Sequence, residues 1–68
     1  MSIAKVTEII ATSDKSYEDA VKQGVKRATK TLKNVKSAWV TDHAVKIGKK
    51  GRITRHRVRM KVTFVLED

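Results

Sequence analysis

Cysteine is absent from this 68-residue chain, and only two histidines, His43 and His56, are present. A disulfide is therefore excluded, and the scarcity of nitrogen ligands gives a structural metal too few donors. A domain of this size buries only about 60% of the surface that its unfolded chain exposes, so its stability is marginal. Because neither a disulfide nor a structural metal can supply the missing stability, we expect self-association to stabilise the fold.

Long apolar runs are missing as well. No stretch approaches the roughly 20 residues that span a bilayer. The first ten residues, MSIAKVTEII, lack the apolar core that follows the basic start of a signal peptide. The absence of cysteine fits a reducing compartment. These features predict a cytoplasmic protein with no membrane partner.

Acidic residues are scarce relative to basic ones. Sixteen Lys and Arg stand against seven Asp and Glu, which gives a net charge of +9. For so short a chain this excess indicates contact with polyanions, nucleotides or anionic surfaces. A solvated lysine-rich surface has the same composition, so charge alone leaves both interpretations open.

The alternation within residues 52–66, RITRHRVRMKVTFVL, is the most informative pattern in the chain. A period of two is typical of a β-strand, whose successive side chains point to opposite faces. One face is largely apolar from its third member onward: Thr54, His56, Val58, Met60, Val62, Phe64 and Leu66. The other carries consecutive cations with no acid among them: Ile53, Arg55, Arg57, Arg59, Lys61, Thr63 and Val65. The first face can cover a core, and the second needs anions, water or a partner.

A helix is predicted within residues 12–34, because small or apolar residues recur there at intervals of three and four. They are Tyr17, Ala20, Val21, Gly24, Val25, Ala28 and Leu32. Ser16 is a favourable N-cap. Gly24 costs about 1 kcal/mol relative to alanine inside a helix, so its place on the apolar face predicts a close approach by a sheet or another chain.

Residues 3–12 and 36–47 are predicted as two further strands, and GKKG at 48–51 as a turn whose glycines tolerate positive φ. The order is therefore β-α-β-β. It predicts an α+β fold in which a three-stranded antiparallel sheet is wrapped on one amphipathic helix. We expect the whole chain, 1–68, to form a single domain.

Catalytic and metal-binding groups are not predicted. Asp42 and His43 are adjacent, with Ser37 nearby, but neighbours on a strand point to opposite faces and cannot form a triad. His56 lies on the apolar face, where a hydrogen-bonded structural role is expected. The acidic residues form no metal-like cluster within one chain.

Trp39 is the single tryptophan and shares a strand face with Ser37 and Thr41. It suits the filling of core or subunit-interface space, and it also suits stacking on a ring. If the second and third strands pair around the GKKG turn, Trp39 lies on the same sheet surface as the arginine row. An aromatic beside cations fits a flavin or a nucleotide, with the ring stacked and the phosphate held.

The segment KVTEIIATSDKSYEDAV and the closing KVTFVLE resemble the dodecin family. The resemblance covers nearly the whole chain, including its length and element order. It implies a hollow homododecamer that binds a ligand for storage or protection, without an enzymatic cycle. Many dodecins hold flavins (FMN or riboflavin) in pairs between aromatic rings.

Both positions that define the flavin site in the family differ here. Counting from the TS pair, the family's stacking tryptophan falls on Ser37; counting back from Phe64, its flavin-contacting glutamine falls on Arg57. Trp39 lies two residues beyond Ser37, a shift of about 6 to 7 Å. The resemblance is therefore to the branch without the tryptophan, some members of which are linked to calcium or to no ligand.

Replacement of glutamine by Arg57 favours phosphate or carboxylate, because a guanidinium donates in a fixed fork and cannot accept. We therefore expect an oligomeric protein that holds small anionic ligands, with a flavin less favoured. The expected contacts are Arg57, Trp39, Ser37, Arg55 and Arg59. Two alternatives stay open: a nucleic-acid-binding module that uses the basic strand with Lys49, Lys50 and Arg52, and a cation-binding or purely structural shell. A calcium site would need acids such as Glu8, Asp42 or Glu67 gathered across subunits.

Overall fold

A computed structural model describes residues 3–66 of the chain and contains three strands, one helix and a short 3₁₀ turn. In chain order these are β1 (Ile3–Ser13), α1 (Tyr17–Thr31), β2 (Val35–Ile47), the 3₁₀ turn (Lys49–Gly51) and β3 (Ile53–Leu66). The predicted β-α-β-β order and α+β class are confirmed. The strand boundaries lie within one residue of those expected from the sequence.

The three strands form one antiparallel sheet in the order β1-β3-β2. β3 is the central strand, and its residue Met60 faces Ile9 on one side and Val40 on the other. The basic strand that stood out in the sequence therefore lies in the middle of the sheet. Its two rows of side chains are flanked by residues from both neighbouring strands.

Helix α1 begins as the sequence predicts. The hydroxyl of Ser16 accepts a hydrogen bond from the backbone N–H of Asp19 at 3.0 Å, which satisfies one of the free donors of the first turn. The buried Ser13 hydroxyl donates to the Asp19 carboxylate at 2.6 Å. This hydrogen bond lowers the pKa of Asp19 below its ordinary value, with smaller contributions from nearby lysines.

The core lies between α1 and one face of the sheet, called here the inner face. Val58, Met60 and Val62 of β3 are fully buried there, together with Ala20 of the helix. A side chain at Gly24 would collide with Met60 Cε and would lie 3.1 Å from Ala11 Cβ. The close approach predicted at Gly24 is therefore confirmed, and the sheet of the same chain makes it.

The turn between β2 and β3 departs from the prediction in one respect. Gly51 has a positive φ of 74°, as expected, but Gly48 has φ −97° and the second left-handed residue is Lys50, with φ 61°. At Gly48 the constraint is space instead, because a Cβ would lie 2.7 Å from Cγ2 of Thr54. The glycine that the sequence assigned to backbone freedom is thus required by packing.

The molecule is elongated, with principal extents of 53 × 19 × 13 Å. Its Cα radius of gyration is 14.2 Å, whereas a compact domain of this length has a value of about 11 Å. The long β2–β3 hairpin accounts for the difference, because it extends past the end of β1. Within residues 3–66 there is no helix of the length and apolar character needed to cross a lipid bilayer.

Candidate functional site: the outer face of the sheet

The face of the sheet that points away from α1 is called here the outer face. Since Val58, Met60 and Val62 lie under the helix, the alternating residues Arg57 and Arg59 must point the opposite way. They continue the row that runs from Arg55 to Lys61 along the central strand. Residues directly opposite one another in an antiparallel pair share a face, so the register identifies the neighbours of each cation.

One end of the outer face combines charges of both signs with the tryptophan; we call it the Trp39 end. Lys61 lies opposite Glu8 on β1 and Trp39 on β2, and its Nζ is 5.7 Å from the centre of the indole ring. Arg59 donates to the Glu8 carboxylate at 3.3 Å. A register shift after Val40 places Asp42 opposite Arg59. The cations at this end are therefore compensated within the chain.

The other end has cations with little acidic compensation; we call it the Arg57 end. Arg57 lies opposite Thr12 and Ala44, and Arg55 lies opposite Lys46. These residues and Val45 line an open concavity of about 370 Å³. Among residues 3–66, no carboxylate lies within ion-pair distance of Arg57.

Arg55 has one acidic neighbour at the Arg57 end. Its Nε lies 3.9 Å from the carboxylate of Asp14, and both side chains are exposed. Solvent screens such a pair, and exposed ion pairs contribute on the order of 0 to 1 kcal/mol. The Arg57 end therefore offers guanidinium groups that are free to receive an anion.

The structure brings together only some of the predicted contacts. Arg55, Arg57 and Arg59 follow one another on the outer face at intervals of about 6 to 7 Å. Trp39 shares that face, as the sequence predicted, and is 67% exposed. However, Trp39 lies opposite Lys61, which is four residues from Arg57 on β3. The indole ring is therefore roughly 13 Å along the strand from Arg57, the middle arginine of the three.

Ser37 lies farther still from Arg57. It faces Thr63, six residues from Arg57, which corresponds to roughly 20 Å along β3. Ser37 and Arg57, the two positions that the sequence resemblance implied as ligand contacts, therefore do not meet within one chain.

The geometry around the histidines corrects one expectation. Asp42 and His43 do point to opposite faces, and the His43 ring packs at a tilt against the Tyr17 ring with centroids 4.3 Å apart. The His56 ring stacks on the His43 ring with centroids 5.8 Å apart. The predicted hydrogen bond at His56 is wrong for one nitrogen, because its buried Nδ1 has no partner among the described residues. Ring contacts hold this histidine in place instead.

Two features of the site were missed at the level of sequence. Glu8 neutralises Arg59 from the neighbouring strand, and Asp42 replaces Thr41 as the outward residue because the strand is irregular at that point. The alternation of β1 places Glu8 on one face, but only the pairing of β1 with β3 reveals its partner. Within residues 3–66, no group of three or more acidic, cysteine or histidine side chains is arranged to hold a metal ion.

Fold and site together define a small α+β protein in which one helix covers the inner face of a three-stranded antiparallel sheet and the outer face is open and basic. A family model described as Dodecin matches residues 3–67. The chain is 34% identical over 64 residues to the calcium dodecin of Mycobacterium tuberculosis, which covers 94% of this chain and 89% of the relative. The chain belongs to the dodecin family.

Solved structures agree with this assignment. A dodecin from Streptomyces davaonensis superimposes with a TM-score of 0.90 at 31% identity, covering 98% of this chain and 97% of the other. The crystal structure of the calcium dodecin from Mycobacterium tuberculosis, described as having a novel calcium-binding site, gives a TM-score of 0.81 at 30% identity. That match covers 97% of this chain and 93% of the other.

Proposed function

We propose that this dodecin is a non-enzymatic, oligomeric binding or storage protein that holds small anionic ligands on the outer face of its sheet. The observation that carries the proposal is the Arg57 end, where guanidinium groups line a concavity without a carboxylate opposite Arg57. The proposed contacts are Arg57, Arg55, Arg59, Trp39 and Ser37. The first two line the concavity, and the others contact the ligand from a neighbouring copy.

Self-association is supported by the surface of the single chain. Its accessible area is 5431 Å², whereas a compact monomer of 7.7 kDa exposes about 4,300 Å². Large apolar side chains contribute to that excess: Ile3, Val6, Ile10, Trp39, Val45, Ile47, Ile53 and Leu66 are all exposed. Burial of this surface between copies would supply stability that the small core lacks. We infer a closed assembly of twelve copies, as the family name describes.

The chemistry of Arg57 favours a phosphate or a carboxylate. A guanidinium presents several donors in a planar fork and binds such groups in a bidentate manner. A neutral flavin ring has both donors and acceptors along its edge, and arginine cannot satisfy the donors. FMN, which carries a phosphate, therefore fits this site better than riboflavin does.

Calcium fits the described part of the outer face poorly. Ca²⁺ requires several oxygen ligands, and carboxylates supply most of them. Glu8 is already engaged by Arg59, and Asp42 lies opposite the same guanidinium. Glu67, which the sequence suggested as a further ligand, lies outside the described residues. The cations of β3 would repel a divalent ion at this surface.

Two measurements test the proposal. The mass of the purified protein in solution should correspond to a large homo-oligomer, and a monomer would contradict the assembly. Titration with FMN, followed by quenching of its fluorescence, should show binding that weakens roughly 10- to 100-fold in Arg57→Met, because a charge-assisted hydrogen bond contributes about 1.5 to 3 kcal/mol.

The matched control is Lys30→Met, which removes one positive charge from the exposed surface of α1. If Lys30→Met weakens FMN binding as much as Arg57→Met, only net charge matters and the proposed site is wrong. If Arg57→Met instead lowers the mass of the assembly and leaves binding unchanged, the arginine has a structural role.

A further inference from the structure

The end of the β2–β3 hairpin forms a projecting basic arm, defined here as residues 46–55. The pairing of β1 with β3 ends at Ser13 and His56, so beyond that point β2 and β3 pair only with each other. The arm has the sequence KIGKKGRITR and contains no acidic residue. Its cations are all exposed: Lys46, Lys49, Lys50, Arg52 and Arg55. Only Arg55 has a carboxylate near it among residues 3–66, at 3.9 Å.

The arm is an ordered ribbon. The N–H of Gly48 donates to the carbonyl of Arg52 at 2.7 Å, and the N–H of Arg52 donates to the carbonyl of Lys49 at 3.3 Å. Thr54 adds a hydrogen bond from its hydroxyl to the carbonyl of Lys46 at 3.2 Å. Because these bonds fix the turn, the cations are presented in a defined arrangement.

The distribution of charge fits a linear polyanion better than a flat surface. Cations occupy the turn and both strands, and the row continues from Arg55 to Arg57 at a spacing of about 6 to 7 Å. A lipid bilayer would meet only the tip of a projecting arm. A nucleic acid can follow its length, and neutralised phosphates release counterions.

Three further features select B-form duplex DNA among nucleic acids. A two-stranded ribbon fits the major groove, which is about 12 Å wide. The arm has no aromatic residue on which the bases of a single strand would stack. The deep, narrow major groove of A-form RNA does not admit side chains.

We propose that the basic arm binds duplex DNA, with the ribbon lying in the major groove and its cations on the flanking phosphates. This proposal does not depend on the small-ligand site. The cations that distinguish it, Lys49, Lys50 and Arg52, lie in the turn and line no part of the concavity at the Arg57 end.

The test measures binding of the full chain to a fluorescently labelled duplex by anisotropy as a function of salt. With about five phosphate contacts, affinity should fall roughly 10²- to 10³-fold between about 50 and about 200 mM salt. The variant K49Q/K50Q/R52Q should bind more weakly at low salt, and the same increase in salt should reduce its affinity only about tenfold.

The control variant K22Q/K26Q/K30Q loses the same charge from exposed positions on α1 and should bind as the unmodified protein does. Circular dichroism should show both variants folded. Equal weakening in the two variants, absence of binding at low salt, or tighter binding to single strands would overturn the proposal. Binding to phosphatidylserine-containing vesicles without binding to the duplex would likewise overturn it, in favour of a membrane surface.

Discussion

The two faces of β3 carry side chains whose partners lie in different places. On the inner face, Val58, Met60 and Val62 are fully buried beneath α1 of the same chain. On the outer face, Arg57 points away from the helix and has no carboxylate opposite it in the described residues. The inner row thus completes the fold of the monomer. The outer row needs a partner of negative charge, which we propose to be an anionic ligand.

The outer face repeats this contrast along its length. At the Trp39 end, Glu8 binds Arg59, and Lys61 lies over the indole ring. At the Arg57 end, the residues opposite the guanidinium are Thr12 and Ala44. The cations of the Trp39 end are therefore neutralised within the chain, whereas Arg57 at the other end is free to bind an anion. Substitutions that exchange these properties test whether this difference determines ligand binding.

The largest expected effect comes from Met60→Ala on the inner face. Met60 is fully buried, so truncation should cost about 2 to 5 kcal/mol of unfolding free energy. Lys61→Ala, one residue away on the outer face, should change stability by less than about 1 kcal/mol. Urea denaturation checks both variants. Similar losses would show that both rows of β3 contribute equally to the fold of the single chain.

Ala44→Asp should make the Arg57 end resemble the Trp39 end. It places a carboxylate opposite Arg57, as Asp42 lies opposite Arg59 in the native chain. FMN affinity should fall about tenfold or more, because the new carboxylate occupies the guanidinium and repels the phosphate. Ala44→Asn, which has the same shape without the charge, should bind FMN within a few-fold of the native protein. Equal losses in the two variants would indicate a steric effect.

Glu8→Gln should change the Trp39 end in the opposite direction. Removal of this carboxylate breaks the hydrogen bond to Arg59 and leaves Asp42 as its one acidic neighbour among residues 3–66, so FMN affinity should rise a few-fold. Stability should change by at most about 1 kcal/mol, because the pair is half exposed. In the double variant Glu8→Gln/Arg59→Gln the gain should disappear. A gain that persists there would show that Arg59 is not the group released.

The smallest expected effect concerns pH and the start of α1. The hydrogen bond from Ser13 holds the pKa of Asp19 below its ordinary value of 3.8. Ionised Asp19 therefore stabilises the fold fully above pH 3.8, the ordinary pKa of the carboxyl. This stabilisation is lost as the pH falls through the lower pKa that Asp19 has in the folded state. The difference in urea midpoint between the native chain and Asp19→Asn should narrow over this acidic range. A constant difference from neutral pH to strong acid would contradict the assignment.

Much of the inner face could be predicted from the sequence, because its signals are local. The period of β3, the N-cap at Ser16 and the close approach at Gly24 each depend on residues adjacent in sequence or on one helix face. The outer face could be predicted only in part. Its row of cations follows from the period, but the partners of that row depend on strand order and register.

Glu8 and Asp42 show why the outer face could be predicted only in part. The pairing of Glu8 with Arg59 joins positions 51 apart in sequence, and nothing in either segment specifies that β1 lies beside β3 and not beside β2. Asp42 reaches the outer face only because the register shifts after Val40. Such an irregularity arises from the fit of two strands and is not encoded in the alternation of one of them.

We propose that Arg57 receives the anionic group of a small ligand. The ratio of the riboflavin and FMN dissociation constants tests this role, because the two ligands differ through the phosphate alone. FMN should bind about 10- to 100-fold more tightly than riboflavin to the native protein, and this preference should be largely lost in Arg57→Gln even if the new amide contacts the ring of both ligands. Equal affinity of the native protein for both ligands, or an unchanged preference in Arg57→Gln, would contradict it.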